Sequence, residues 1–247
     1  MYKFFVDNSK VKDEKIVIDG TDVNHIINVL RLKKTDKILI CEKETMQNFI
    51  CEIEDFDKER VGCKIIEKTD FVSESNVKLD VYQGLPKADK MELIIQKETE
   101  IGASKIIPVQ MDRCIVKLDG KDSIKKIDRW QKIAEVAAKQ SKRDIIPKIE
   151  NLQNINYVVN IIKDYDLFIV FYEEERNLSL KETLKQLDKN KDYKIGILIG
   201  PEGGIDINEI NILKQNGAKI VTLGNRILRT ETAPIVASSI IMYELEN

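Results

Sequence analysis

Arg229, Thr230, Glu231 and Thr232 stand side by side in the stretch GNRILRTETA, residues 224–233. A permanent cation, a carboxylate and two hydroxyls, preceded by Gly224, Ile227 and Leu228, suit the grip of a flat, partly apolar ligand. Backbone groups reach the edge of a heterocycle while the aliphatics cover its face. Thr232, just ahead of Ala233 and Pro234, also reads as a cap for the helix that follows. Arg229 has no such plain role. A cation at a helix N-terminus is unfavourable, so its guanidinium calls for an anion or a carbonyl-rich partner. Upstream, IGPEGG (199–204) has the outline of a glycine-rich turn between a strand and a helix, where backbone N–H groups commonly hold phosphate. Pro201 and Glu202 spoil that use, since proline has no N–H and a carboxylate repels an anion. The chain also lacks the lysine-bearing G-x-x-x-x-G-K-[ST] loop, which disfavours a nucleotide-phosphate hydrolase.

For these stretches to act together, the fold must bring them together. Each follows an apolar run: FYEEERN (171–177) after LFIV, GPEGG (200–204) after KIGILI, and GNRILRTETA after IVTL. In a parallel sheet all three leave on one edge, beyond the carboxyl ends of the strands, where ligands of open α/β sheets bind. The pattern from residue 73 onward predicts such a sheet. Strands are expected at 78–85, 105–109, 165–172, 194–199 and 218–223, alternating with helices at 89–102, 122–143, 206–217 and 234–247. Gly102 closes the first of these helices, Asp206 and Glu209 form a capping box for the third, and Pro234 suits the first turn of the last. Trp130, in the middle of the long helix, reads as packing.

Residues 1–72 read differently. Short β-rich runs at 3–6, 15–18, 36–41, 48–54 and 60–68 are broken by one helix at 22–31, whose apolar positions are Ile26, Val29 and Leu30. Five strands and a helix predict a small barrel, an architecture that includes oligonucleotide binders. The polar stretch TDFVSESNVK (69–78) is the expected linker, which divides the chain into domains 1–72 and 73–247.

Composition bounds the answer. The chain has 247 residues, 43% hydrophobic and 33% charged, as expected for a globular protein with a real core. No apolar run is long enough to span a membrane, and the first residues lack the apolar core of a secretory signal. Cys41, Cys51, Cys63 and Cys114 are far apart, without C-x-x-C spacing, which suits a reducing cytoplasm. A single histidine, His25, leaves no metal site that needs several imidazoles. The net charge of −2 is uneven: residues 73–150 hold 16 Lys and Arg against 13 Asp and Glu, the one basic third of the chain. That excess hints at a polyanionic partner.

IGPEGG followed by LGNRILRTETA resembles the ribosomal RNA small subunit methyltransferase E family, within the SPOUT superfamily of S-adenosylmethionine-dependent RNA methyltransferases. The resemblance extends to HIINVLRLKKTDKI (25–38), LPKADKMELIIQKETEIGASKIIPV (85–109) and RWQKIAEVAAKQSKRDIIP (129–147), and so covers nearly the whole chain. The resemblance implies a PUA-like β-barrel at residues 1–72 that binds RNA. Residues 73–247 would form an α/β SPOUT methyltransferase domain with a deep trefoil knot. It further implies a homodimer, a cofactor pocket in the knot near the subunit interface, and methylation of uridine N3 in small-subunit (16S) ribosomal RNA, free or in the assembled 30S subunit.

Under that reading Gly200, Glu202, Gly203, Gly204, Leu223, Gly224, Ile227, Leu228 and Thr232 bind S-adenosylmethionine, mostly through backbone that glycine lets approach closely. Arg229 and Glu231 are catalytic. Arginine stays charged, so Arg229 does not take the N3 proton but stabilises negative charge on the uracil carbonyls. Glu231 or Glu202 accepts that proton, given a raised pKa, or orients a water; Glu202 alternatively meets the cofactor's ammonium. No cysteine follows Cys114, which disfavours a cysteine nucleophile. Lys3, His25, Arg31, Lys87, Lys90, Gln140 and Arg143 are the expected RNA contacts, serving to position the backbone. The family's arginine before the first strand is here Lys3, which keeps the charge and loses the bidentate geometry. A ribose 2′-O-methyltransferase of the same superfamily and a non-catalytic RNA-binding protein are the rival readings.

Overall fold

The computed structural model describes residues 1–69 and 73–246. It divides into two compact units, Met1–Glu74 with Ala138–Ile145, and Ser75–Ala137 with Ile146–Asn247. The division falls after Glu74. Residues 70–72 of the expected linker lie outside the described residues. The segment 138–145, which the sequence pattern assigns to the second domain, belongs instead to the first unit.

In the first unit, β1 (Lys3–Val6), β2 (Val11–Lys12), β3 (Lys15–Asp19), β4 (Lys37–Glu42), β5 (Asn48–Phe56) and β6 (Arg60–Thr69) form one six-stranded sheet in the order β1-β4-β5-β6-β3-β2. Only β1 and β4 pair in parallel; the other pairs are antiparallel. Alternate residues point into a core of Ile16, Ile18, Ile38, Ile40, Cys51, Ile53, Val61 and Cys63, the period of two that a strand imposes. The expected helix at 22–31 is shorter and distorted. One α-turn, α1 (Thr21–Asn24), runs into a π-helical stretch, His25–Val29, marked by the bond from Leu30 N–H to His25 O at 2.8 Å. The wider π-turn rotates the following residues. Val23 and Ile26 stay in the core while Val29 turns outward.

The segment 138–145 is fixed to this unit by buried charge. Asp144 pairs with Lys3 and accepts from Asn48 Nδ2 at 2.6 Å and Ser73 N–H at 2.6 Å. Arg143 grips Glu74 with two nitrogens, Nη2 to Oε2 at 2.6 Å and Nε to Oε1 at 3.3 Å. Glu74 Oε1 also accepts from the backbone N–H groups of Asp144 and Ile145, at 2.8 and 3.0 Å. Burial works to raise the pKa of Asp144, but the hydrogen bonds from Lys3, Ser73 and Asn48 outweigh it and hold the carboxyl below its ordinary value.

The second unit is built on a seven-stranded parallel sheet. Its elements in chain order are β7 (Val77–Gly84), α2 (Lys90–Ile101), β8 (Lys105–Gln110), α3 (Gly120–Ser141, whose last turn belongs to the first unit), β9 (Lys148–Ile149), β10 (Gln153–Asn154), α4 (Ile155–Ile161), β11 (Leu167–Phe171), α5 (Leu180–Leu184), β12 (Tyr193–Ile199), α6 (Ile207–Gln215), β13 (Lys219–Val221) and α7 (Thr232–Leu245). The order is β10-β8-β7-β12-β11-β13, with β9 on β8. Central strands are apolar on both faces: Leu79, Val81, Ile169, Val170, Ile195, Ile197 and Leu198 are fully buried, as helices on both sides require. Trp130 packs into this core.

The sequence pattern misses β9, β10, α4 and α5. The first two have two residues each. The helix α5 was signalled by Ser179 and Glu182, which form a complete capping box. The box expected at Asp206 and Glu209 is also complete. Gly102 takes φ 120° beyond α2, a conformation that suits glycine alone.

Candidate functional site

Register decides where the three candidate stretches go. Phe171 at the end of β11 is level with Ile199 at the end of β12 and with Val221 at the end of β13. The chain segments that follow therefore leave the sheet side by side at its carboxyl edge. They enclose a cavity of ≈ 580 Å³. Its walls include Gly200, Glu202, Gly203 and Gly204 from the first turn, and Leu223, Gly224, Ile227, Leu228 and Arg229 from the last. All of these are among the expected site residues. Thr232 does not line the cavity; it is the first residue of α7. Nor does it cap that helix, because Glu231 holds the N-cap position and makes no side-chain capping bond.

Two turns are tied together from beneath. Thr230, buried, donates its hydroxyl to Gly200 O at 2.8 Å and accepts from Gln83 Nε2 at 3.0 Å. Gln83 was not expected at the site, and Thr230 was expected there as a ligand-gripping hydroxyl, not as a tie between turns. A glutamine at the end of a strand carries no local signal; its partner depends on which strand lies beside it. The glycines also differ from expectation. A Cβ on Gly200 would press on Ile205, and one on Gly203 on the backbone of Arg113, so both admit neighbouring protein. Gly204 has φ +71°, and a Cβ there would lie 2.1 Å from Glu173 Oε1. It is this glycine that lets a carboxylate pack against the turn. Gly224 lies at φ +116° with open space around it, a backbone conformation that suits glycine.

The electrostatics separate the acids. Glu202 is fully engaged: Lys87 N–H donates to its two oxygens at 3.0 and 3.3 Å, and Lys90 Nζ lies 3.0 Å from Oε1. Burial works to raise its pKa, but Lys90 and the backbone donors outweigh that and hold it low. Glu231 is only partly engaged. Lys90 Nζ approaches Oε2 at 3.1 Å, and Arg229 Nη1 is 4.0 Å from Oε1. Glu231 Oε2 is buried against the Lys90 ammonium. Burial again favours the neutral acid, and the backbone, Lys90 and Arg229 again prevail, so Glu231 also sits below the ordinary value. The raised carboxyl pKa that a strong base would need is therefore absent from both groups. Glu173, a cavity wall beside Gly204, is an acid that sequence reading passed over inside the run FYEEERN.

Arg229 is 82% exposed at the mouth of the cavity, and Ile227 beside it 79% exposed. Of the expected RNA contacts, Lys87 and Gln140 are exposed, as are His25 and Arg31. Lys90 is turned to Glu202, on the cavity wall, and to Glu231, which does not line the cavity. Lys3 and Arg143 are corrections. The Lys3 ammonium is fully buried against Asp144, and Arg143 is buried against Glu74. A surface cation was expected at both positions, but burial without a partner would be too costly, so each is committed inside the first unit.

The arrangement suits a ligand that is flat, partly apolar and cationic. Ile199, Leu223 and Leu228 supply apolar wall, Glu173 and Glu202 supply negative charge, and Pro201 withholds the N–H that a phosphate would need.

A family model described as an RNA methyltransferase domain matches residues 73–242. The ribosomal RNA small subunit methyltransferase E of Bacillus subtilis (strain 168) is 37% identical over 251 residues, covering 100% of this chain and 98% of the relative. Ribosomal RNA small subunit methyltransferase E 2 of Borreliella burgdorferi is 32% identical, covering 94% and 92%. A crystal structure of ribosomal RNA small subunit methyltransferase E from Neisseria gonorrhoeae bound to S-adenosyl methionine superposes with a TM-score of 0.84 at 27% identity, covering 98% of this chain and 97% of that one.

Proposed function

Because the chain belongs to the ribosomal RNA small subunit methyltransferase E family, we propose that it transfers a methyl group from S-adenosylmethionine to N3 of a uridine in small-subunit ribosomal RNA. The observation that carries this is the cavity itself: three strand-end segments level in register, with an acid-lined, partly apolar interior and an exposed arginine at its mouth. When bound, the cofactor supplies an electrophilic methyl group on a positively charged sulfur.

The chain's own residues do the rest. Direct displacement at nitrogen needs no covalent nucleophile, so positioning is the main task. The backbone at Gly200, Gly203, Gly204, Leu223 and Gly224, with Ile227 and Leu228, holds the cofactor. Glu173 is the acid best placed for its ammonium group, since Glu202 is taken by Lys87 and Lys90. Arg229 meets the uracil carbonyls from the mouth and stabilises the charge that gathers there. His25 and Arg31 in the first unit, with Lys87 and Gln140, contact RNA backbone, and binding weakens steeply with salt.

The chain threads a trefoil knot and acts as a homodimer in the cytoplasm, on free ribosomal RNA or the 30S subunit. Support for a second copy comes from α7. It is apolar nearly all round, yet Ile240 and Tyr243, at 86%, remain exposed on one side, the sort of face that a partner covers. A monomeric mass in light scattering would remove that part of the reading.

Nucleoside mass spectrometry of ribosomal RNA, from cells with and without this protein, tests the reaction. Loss of N3-methyluridine is expected. Unchanged N3-methyluridine sinks the reading, and loss of a ribose-methylated nucleoside would replace it with 2′-O-transfer. For the cofactor, Gly204→Val is expected to raise the Kd for S-adenosylmethionine at least about tenfold in calorimetry, because a side chain at Gly204 would displace the Glu173 carboxylate that packs against it. Wild-type affinity in this variant would remove the turn from the site.

A further inference from the structure

The turn after β11, FYEEERN, holds three glutamates and an arginine, and none of the three carboxylates pairs with the guanidinium among the described residues. Glu174 Oε2 accepts from the Tyr172 hydroxyl at 3.0 Å. Glu175 Oε1 accepts from the backbone N–H groups of Arg176, Asn177 and Leu178, at 2.9, 2.6 and 3.3 Å. Glu173 packs against Gly204. Arg176 is held by backbone instead: its Nη1 donates to Glu173 O at 2.6 Å and to Glu175 O at 3.1 Å. Both hydrogens of Nη1 are then in use. Nε and Nη2 make no hydrogen bond among the described residues, and Arg176 lines the cavity. Those two nitrogens form a side-on fork of the kind that grips a carboxylate with two parallel bonds.

The other cations of the wall differ from it. Lys90 is committed to Glu202 and Glu231. Arg229 has Glu231 as its nearest acid, at 4.0 Å. Arg226 lines the cavity, but among the described residues its side chain makes no hydrogen bond or ion pair that would orient it. Arg176 alone of the four is both fixed by backbone and left with an open fork. A guanidinium set in place beforehand loses less freedom when an anion arrives.

We propose that Arg176 binds the carboxylate at the methionine end of S-adenosylmethionine through Nε and Nη2, while Glu173, three residues earlier, receives the ammonium. The inference rests on the reading above and assigns the amino-acid end of the cofactor to this one turn. That end is a zwitterion. With only its ammonium met, the carboxylate would be taken from water without a partner, beside the acids Glu173 and Glu202 of the same wall, and an unpaired charge there is costly. A phosphate of the RNA is the competing anion. Arg176 stands among Glu173, Glu174 and Glu175. A zwitterion brings an ammonium to offset that negative field; a phosphodiester brings only more negative charge.

Calorimetry on the full-length chain tests this with two ligands: S-adenosylmethionine, and its decarboxylated form, which keeps the sulfonium and the ammonium and lacks only the carboxylate. The wild type is expected to bind S-adenosylmethionine about tenfold more tightly, the scale of one charge-assisted pair. In Arg176→Ala the Kd for S-adenosylmethionine should rise by about that factor, while the Kd for the decarboxylated form moves less than about twofold, so that the preference disappears. Arg176→Lys should recover part of it, since lysine keeps the charge and loses the fork. Arg226→Ala should leave the preference intact. Equal affinity of the wild type for the two ligands would overturn the proposal, and that arm needs no variant. So would an equal loss of both ligands in Arg176→Ala, which would mean that the turn had collapsed. A loss confined to the KM for RNA would overturn it too, and make Arg176 a phosphate contact. A wild type that binds neither ligand would instead overturn the cofactor reading on which the inference rests.

Discussion

Arg229→Ala is expected to lower kcat about 10²- to 10³-fold, the scale on which losing one preorganised donor to a developing charge is felt. The Kd for S-adenosylmethionine should hardly change. The side chain is mostly exposed, its guanidinium is 4.0 Å from Glu231 Oε1, and it makes no closer ion pair among the described residues. A cation held so loosely does little for the resting fold, since exposed pairs contribute only about 0–1 kcal/mol. Its position at the cavity mouth is therefore best explained by what arrives there. Lysine should rescue poorly, because it presents a point charge where a planar fork meets two carbonyl edges. Single-turnover kinetics with saturating RNA would check this. A variant with full turnover and normal cofactor affinity would remove Arg229 from the chemistry.

Asp144→Ala is expected to produce the largest loss of stability of any single change in the first unit, about 3–5 kcal/mol. The change leaves the buried Lys3 ammonium without its counter-charge and removes the acceptor of the Ser73 N–H and one acceptor of Asn48 Nδ2. Denaturant melts should reveal it. Acid should reproduce the effect in the wild type. Asp144 has a folded pKa below its unfolded value, so its contribution is complete above the unfolded value of about 3.9 and drains away as pH falls through the folded one. A melt of Asp144→Ala that matches the wild type would mean that the buried pair is energetically neutral.

How much of this was legible in the sequence depends on the range of the interaction. Period-two alternation in KIVI and KILIC and unbroken apolar runs in LFIV and KIGILI placed the strands, because side-chain direction along a strand is a local property. The capping box at Asp206 marked a helix start for the same reason, while the one at Ser179 was missed. The helix at 22–31 was misjudged at its end, where one π-turn exchanged Val29 for solvent and kept Ile26 inside. Within the cavity, eight of the nine expected cofactor residues line the wall, and Thr232 does not. It sits one position too far into α7, and boundaries of helices are where local patterns are least sharp.

Charge partners were not legible. Lys3, Lys90 and Arg143 all read as surface cations, and each is paired with an acid far away in the chain: Asp144, Glu202 with Glu231, and Glu74. The sequence by itself determined the strand and helix pattern, the stretches GPEGG and GNRILRTETA as a meeting place for chemistry-bearing groups once a parallel sheet is assumed, and the family. Tertiary structure alone decided that Lys90 joins Glu202 to Glu231. The physical reason is that apolar periodicity is written along a single segment. The choice of a counter-ion depends on tertiary contacts, which bring together groups that share no local pattern; for Lys90 and Glu202 these follow from β7 lying beside β12.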